Sequence, residues 1–112
     1  MGFFDGAVVE GIGGARIYLA ISSNHYFHIK LGCGGSTNTK AKLLAMWALL
    51  HWASSLGLPS LQIFGDASII INWALGKASL SCLSLDYWCV AIRHMMPLFL
   101  RLDMLHIYRE HN

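Results

Sequence analysis

The sequence predicts an α/β fold: a mixed five-stranded sheet flanked by helices, in the chain order β-β-β-α-β-α-α-β. Three observations predict it. Three β-prone runs open the chain, separated by glycine-rich or Ser-Asn turns. One long apolar helical stretch, Lys40 to Leu56, ends at Gly57 and Pro59, the usual order of helix-stopping residues. Two strand-like runs, Phe3-Phe4-Asp5 and Ile63-Phe64-Gly65-Asp66, each finish in an aspartate followed by small residues. Such runs suit neighbouring strands that present carboxylates at one sheet edge.

The elements follow in order. Phe3 and Phe4 favour a pleated, buried surface, so the first strand is placed around them. Glu10-Gly11-Ile12-Gly13-Gly14 reads as a loop, and it lacks the GxGxxG-then-helix pattern of a dinucleotide site. Ala15 to Ser22 and His25 to Leu31 are the second and third strands, joined at Ser23-Asn24 into an antiparallel meander. His25 and His28 stand three apart on a strand, hence on opposite faces, and make no metal pair. The run from Gly32 to Ser36 is expected to break the strand, with Thr37 or Asn38 capping the helix that follows. Leu43, Met46, Trp47, Leu50 and Trp52 give that helix a wide apolar face. It supplies the crossover to a short, buried parallel strand, Leu61 to Gly65. A second helix runs from Asp66 to Leu75 and a third from Leu83 to Met96, with acids near the latter's start and Arg93 and His94 near its end. Leu102 to Tyr108 is the fifth strand.

Composition narrows the function. Hydrophobic residues make up 55% and charged residues 12%, which excludes a disordered chain. The net charge of +2 permits a phosphate-bearing partner without specifying one. The acids are only Asp5, Glu10, Asp66, Asp86, Asp103 and Glu110, so any carboxylate chemistry comes from that set. Three cysteines without a CxxC pair argue against a disulfide framework or a zinc site. The first residues carry an acid and no basic region, which predicts an intracellular protein, nuclear or cytoplasmic, rather than a secreted one. Leu43 to Leu58 is apolar almost all round but too short to span a bilayer, and no membrane role is expected. The high apolar content makes self-association through exposed surface an expectation.

With these residues in place, the chain resembles the ribonuclease H family. Phe3-Phe4-Asp5-Gly6-Ala7 is similar to that family's first catalytic strand, and Gly13-Gly14-Ala15 to its first hairpin. Thr37-Asn38-Thr39-Lys40-Ala41-Lys42-Leu43-Leu44-Ala45 resembles its T-N-x-x-A-E-L-x-A helix start. Ile63-Phe64-Gly65-Asp66-Ala67 is similar to its fourth-strand motif. His106-Ile107-Tyr108-Arg109-Glu110-His111-Asn112 resembles the opening of the R-E-x-N-x-x-A-D motif of the plant, reverse-transcriptase-associated, retrotransposon-type branch. The motifs cover essentially the whole chain in order.

The resemblance implies a single ribonuclease H-like domain over residues 1–112, incomplete at its C-terminal end because the final helix is missing. It implies an endonuclease that hydrolyses RNA in RNA–DNA hybrids with two Mg²⁺ ions held by four carboxylates, and no small-molecule cofactor. Asp5 and Asp66 match the first and third of those acids and are the expected catalytic and metal-binding residues. Lys42 occupies the position of the second, the Glu of A-E-L, and the fourth falls four positions past Asn112. Thr37, Asn38, His106 and Arg109 are the expected nucleic-acid-binding residues. An ammonium in place of a carboxylate reverses the charge offered to Mg²⁺, so catalysis is expected to be impaired. The alternative reading is a catalytically dead, retroelement-derived interaction or nucleic-acid-binding module, and a third is a small interaction module whose two acids are turn residues. Trp47, Trp52, Trp73 and Trp88 are expected to pack in the core. Lys30, Lys40, Lys77 and Arg93 are scattered cations able to meet phosphates.

Overall fold

Strand β1 (Gly2–Val9) lies in the middle of a five-stranded sheet of order β3-β2-β1-β4-β5. The structure, a computed structural model, describes residues 1–9, 12–22, 25–35, 38–65, 67–80 and 85–107. β2 (Ile12–Ser22) and β3 (His25–Gly35) extend the sheet on one side by antiparallel pairing. β4 (Ser60–Gly65) and β5 (Arg101–His106) extend it on the other by parallel pairing. Helix α1 (Asn38–Ser55) makes the crossover that a parallel β4 requires. α2 (Ser68–Ala74) and α3 (Asp86–Met95) follow, and a 3₁₀ turn over Met96–Leu98 leads into β5.

The sheet has one buried side. Phe4 of β1, Ala15, Ile17 and Leu19 of β2, and Leu61 and Ile63 of β4 alternate into the core, the two-residue period of a strand. Facing them are Leu43, Met46, Leu49 and Leu50 of α1, Ile70 and Ile71 of α2, and Ile92 of α3, all fully buried. Burying a side chain of this size contributes about 1.5–3 kcal/mol, so this layer is the main source of stability. Residues of the other parity (Phe3, Asp5, Arg16, Tyr18, Gln62 and Phe64) are half-buried or exposed.

α1 is too apolar for one stripe to account for its burial, because it packs on β1 and β2 below and on α3 beside it. It stops at Gly57, whose φ of 71° lies in the left-handed region that glycine tolerates. There the Gly57 N–H donates to the Ser54 carbonyl at 3.0 Å and the Leu58 N–H to that of Ala53 at 3.2 Å. Those two bonds satisfy carbonyls the helix would otherwise leave open.

Several expectations are corrected. Ile12-Gly13-Gly14 is not loop but the start of β2, and Gly32 to Gly35 do not break β3 but continue it, pairing with that start of β2 across a register shift at Gly13/Gly14. A glycine run lacks side chains to reveal a strand, and the hairpin's own ladder carries it. Trp52 is not in the core: it is 36% exposed and meets Phe27 of β3 edge-on, with ring centroids 5.6 Å apart. α3 begins at Asp86 and β5 ends at His106, and the expected helix starts at Asp66 and Leu83 lie outside the described residues. Tyr87, Val90, Leu98 and Leu100 are the large apolar side chains most exposed around α3.

Gly65 ends β4 against Phe4. A Cβ there would sit 2.5 Å from the Phe4 ring, which is fully buried and has nowhere to move. Gly65→Ala is therefore expected to cost about 1–3 kcal/mol, the usual penalty of overpacking. A urea titration of both proteins measures it, and an unchanged midpoint would contradict this packing.

Candidate functional site

β4 and β5 end level with Phe4, midway along β1, so Asp5 lies inside β1 rather than at its end as the sequence suggested. Phe4 of β1 pairs with Gly65 of β4, and Gly65 with His106 of β5. The Ile107 N–H donates to the Gly65 carbonyl at 2.9 Å and fixes that end of β5. Asp5 is one residue beyond Phe4, and Asp66, one residue beyond Gly65, lies outside the described residues. The carboxyl ends of parallel strands are where open α/β sheets bind ligands.

Asp5 projects from the side of β1 opposite Phe4 and is half-buried. Its Oδ1 accepts the Gly6 N–H at 2.8 Å. Arg16 stands directly opposite it on β2. Directly opposed antiparallel residues hold their Cβ atoms ~4.5–5.5 Å apart, so an acid and a base are neighbours here.

The contact between β1 and α1 is unusually close. A Cβ on Gly6 would lie 2.6 Å from the Lys42 amide nitrogen and would also collide with the Ala41 carbonyl. Only glycine admits the first turn of α1 to this distance. The approach brings the Lys42 backbone against the residue that follows Asp5. Lys42 itself is half-buried. The Lys42 backbone thus lies against β1 on the Phe4 side of the strand, opposite to the side from which Asp5 projects.

The remaining candidates separate. His106 shares Gly65's side of the sheet, so it and Asp5 project from opposite sides of the sheet edge. Asn38 is the first residue of α1. Thr37, Asp66 and Arg109 lie outside the described residues, as do Glu10 and Glu110. Asp103 pairs with Arg101 at 3.0 Å near the start of β5, far along the strand from the site edge. Asp86 opens α3. Among the described residues no three His, Cys, Asp or Glu side chains converge as a metal cluster.

Two cations have roles that the sequence did not indicate. Arg16 was not singled out, because its position opposite Asp5 depends on hairpin register. Arg93, read as a cation free to meet phosphate, instead closes α2. Its Nη2 donates to the Trp73 carbonyl at 2.8 Å and its Nη1 to that of Ala74 at 3.4 Å. Its guanidinium carbon lies 4.5 Å from the Trp73 ring centroid, a cation–π contact. Beside it, burial pushes the Cys89 thiol up, Asp86 adds to this and Arg93 opposes it, which keeps that cysteine a thiol.

A protein-family model described as reverse transcriptase-like matches residues 3–112. The chain belongs to the reverse transcriptase-like family. No curated protein matches this family member's sequence. Its fold is that of ribonuclease H. It is similar to RNase H1 from the archaeon Halobacterium salinarum, with a TM-score of 0.83 at 22% identity over 96% of this chain and 84% of that one. The N-terminal RNase H domain of a Mycobacterium tuberculosis protein gives 0.83 at 18% identity, covering 96% and 87%. LC11-RNase H1, determined in complex with an RNA/DNA hybrid, gives 0.85 at 16% identity, covering 96% and 84%. The RNase H-like domain of this family thus accounts for the mixed sheet and for the strand edge at which Asp5 stands.

Arg93→Ala is expected to lower the melting temperature by a few degrees, because two carbonyls lose their donor and a ring loses its cation. Nucleic-acid affinity is expected to be unchanged. A thermal melt beside a binding titration checks both, and a loss of affinity in a fully folded Arg93→Ala protein would reassign the residue.

Proposed function

We propose that this chain is a ribonuclease H-type nucleic-acid-binding domain that engages RNA–DNA hybrids and whose hydrolysis is impaired by Lys42. The observation that supports this reading is the Gly6 contact, which packs the start of α1, the helix that carries Lys42, against the strand that carries Asp5 in a ribonuclease H fold. Hybrid binding itself is proposed from the family and from the solved relative that holds an RNA/DNA hybrid.

The residue at position 42 does not fit a two-metal centre. Mg²⁺ takes oxygen ligands, usually one or two carboxylates plus waters. Here Asp5 has Arg16 opposite it on β2, and a lysine, Lys42, stands where the family's second acid is expected. Exchanging a carboxylate for an ammonium at such a position opposes a divalent cation strongly: two unit charges ~4 Å apart interact by about 4 kcal/mol at an effective dielectric near 20. The chemistry left to these residues is recognition. Lys42 and Arg16 offer positive charge to a phosphate, and Asp5 faces Arg16 across the β1–β2 pair. A hybrid would be selected through groove shape and 2′-hydroxyl contacts rather than base identity.

Fluorescence anisotropy with a labelled RNA–DNA hybrid tests the binding, in EDTA and in Mg²⁺. The native chain is expected to bind equally in both and to leave the RNA intact. Lys42→Glu is expected to weaken binding in EDTA, recover it in Mg²⁺ and gain cleavage. Mg²⁺-dependent cleavage by the native chain, abolished by Asp5→Asn, would overturn the impairment. Absence of hybrid binding under both conditions would overturn the function.

Stability gives a second readout. With Lys42 acting as counter-charge to the strand-edge acids, Lys42→Met is expected to lower the melting temperature by roughly 4–8 °C, the equivalent of about 1 kcal/mol in a domain near this size. An unchanged or raised melting temperature would remove Lys42 from that role.

A further inference from the structure

The open side of β1, β2 and β3 carries two cross-strand rows. Register places Lys30 opposite Arg16, and Arg16 opposite Asp5. The next row places His28 opposite Tyr18, Tyr18 opposite Phe3, and Phe3 beside Phe64 of β4. Tyr26 flanks the second row, with its ring centroid 5.5 Å from that of Tyr18 and the planes 30° apart. All of these positions share the parity of Asp5 and Arg16, opposite to the buried Phe4, Ile17 and Leu19.

This surface is both basic and aromatic. Arg16, His28 and Lys30 are exposed, Tyr26 is 59% exposed, and Phe3 and Tyr18 are half-buried. Asp5 is the sole acid among the described residues of the three strands. Neighbouring strands lie ~4.8 Å apart, so the row from Lys30 to Asp5 spans about 10 Å. Flat exposed aromatics on a sheet, with cations between them, are the elements that bind single strands: rings stack bases while Lys and Arg meet phosphates. A protein strand would instead seek a sheet edge, and an apolar partner would not match three exposed bases.

We propose that the open face of β1–β3 binds single-stranded nucleic acid, with Tyr26 and Tyr18 stacking bases and Arg16 and Lys30 holding phosphates. The strand then runs across the sheet toward Asp5. This deepens the reading of the domain as a nucleic-acid binder but stands on a separate observation, the register of the β1–β2–β3 meander.

The test uses anisotropy of the full chain with a labelled single-stranded oligonucleotide, beside the RNA–DNA hybrid. Tyr26→Ala is expected to weaken single-strand affinity at least roughly fivefold, the lower bound for losing one stacked base. Arg16→Gln and Lys30→Gln are each expected to reduce the slope of log K against log salt by about 0.7, the value for one phosphate contact on a single strand. Tyr26 and Lys30 are exposed, so circular dichroism of their variants is expected to match the native chain. Single-strand affinity unchanged in Tyr26→Ala, or a salt slope unchanged in both cation variants, would overturn the proposal. If the hybrid binds and the single strand does not, this inference fails while the hybrid reading stands. If the single strand binds in a Tyr26-dependent way and the hybrid does not, the hybrid reading fails and this one stands.

Discussion

The site depends on an absent side chain. At Gly6 the backbone of β1 approaches the first turn of α1 so closely that no Cβ fits between the strand and the Lys42 amide. This one contact fixes where the crossover helix starts relative to the central strand. Leu49, farther along α1, rests on Gly2 of the same strand in a similar way. Helix and strand are therefore registered at two points, Gly2 and Gly6, and the core of Phe4, Met46 and Ile63 fills the space between.

The same constraint explains how the chemistry at the site can change while the fold persists. Position 42 contributes its backbone to this contact, so a change of charge on its half-buried side chain leaves the contact intact. The hydrophobic layer beneath is fully buried and independent of that charge. A ribonuclease H fold with a lysine at position 42 is therefore physically consistent. Arg16 places a positive charge directly opposite Asp5.

Much of this was legible in the sequence, and the rest has physical reasons for being hidden. The antiparallel meander, the crossover helix and the buried β4 follow from apolar runs and from the Gly57–Pro59 stop, whereas β1, expected to end at Asp5, runs on to Val9. That position 42 belongs with Asp5 is an expectation from resemblance to a family motif alone, since no periodicity links a strand to the turn of a helix. The β2–β3 hairpin was read too short because Gly13, Gly14 and Gly32 show no side-chain alternation. Arg16 escaped notice because cross-strand neighbours are set by register, and a one-residue slip would place it on the buried side. Arg93 was read as a free cation, since nothing in the sequence places it over Trp73, twenty residues earlier.

The most direct test of the central claim is a calorimetric titration of Mg²⁺ into the native chain, with Lys42→Glu and Asp5→Asn proteins alongside. The account predicts no saturable Mg²⁺ binding to the native chain at millimolar concentration, and binding in the Lys42→Glu protein. Saturable binding by the native chain that Asp5→Asn removes would contradict it.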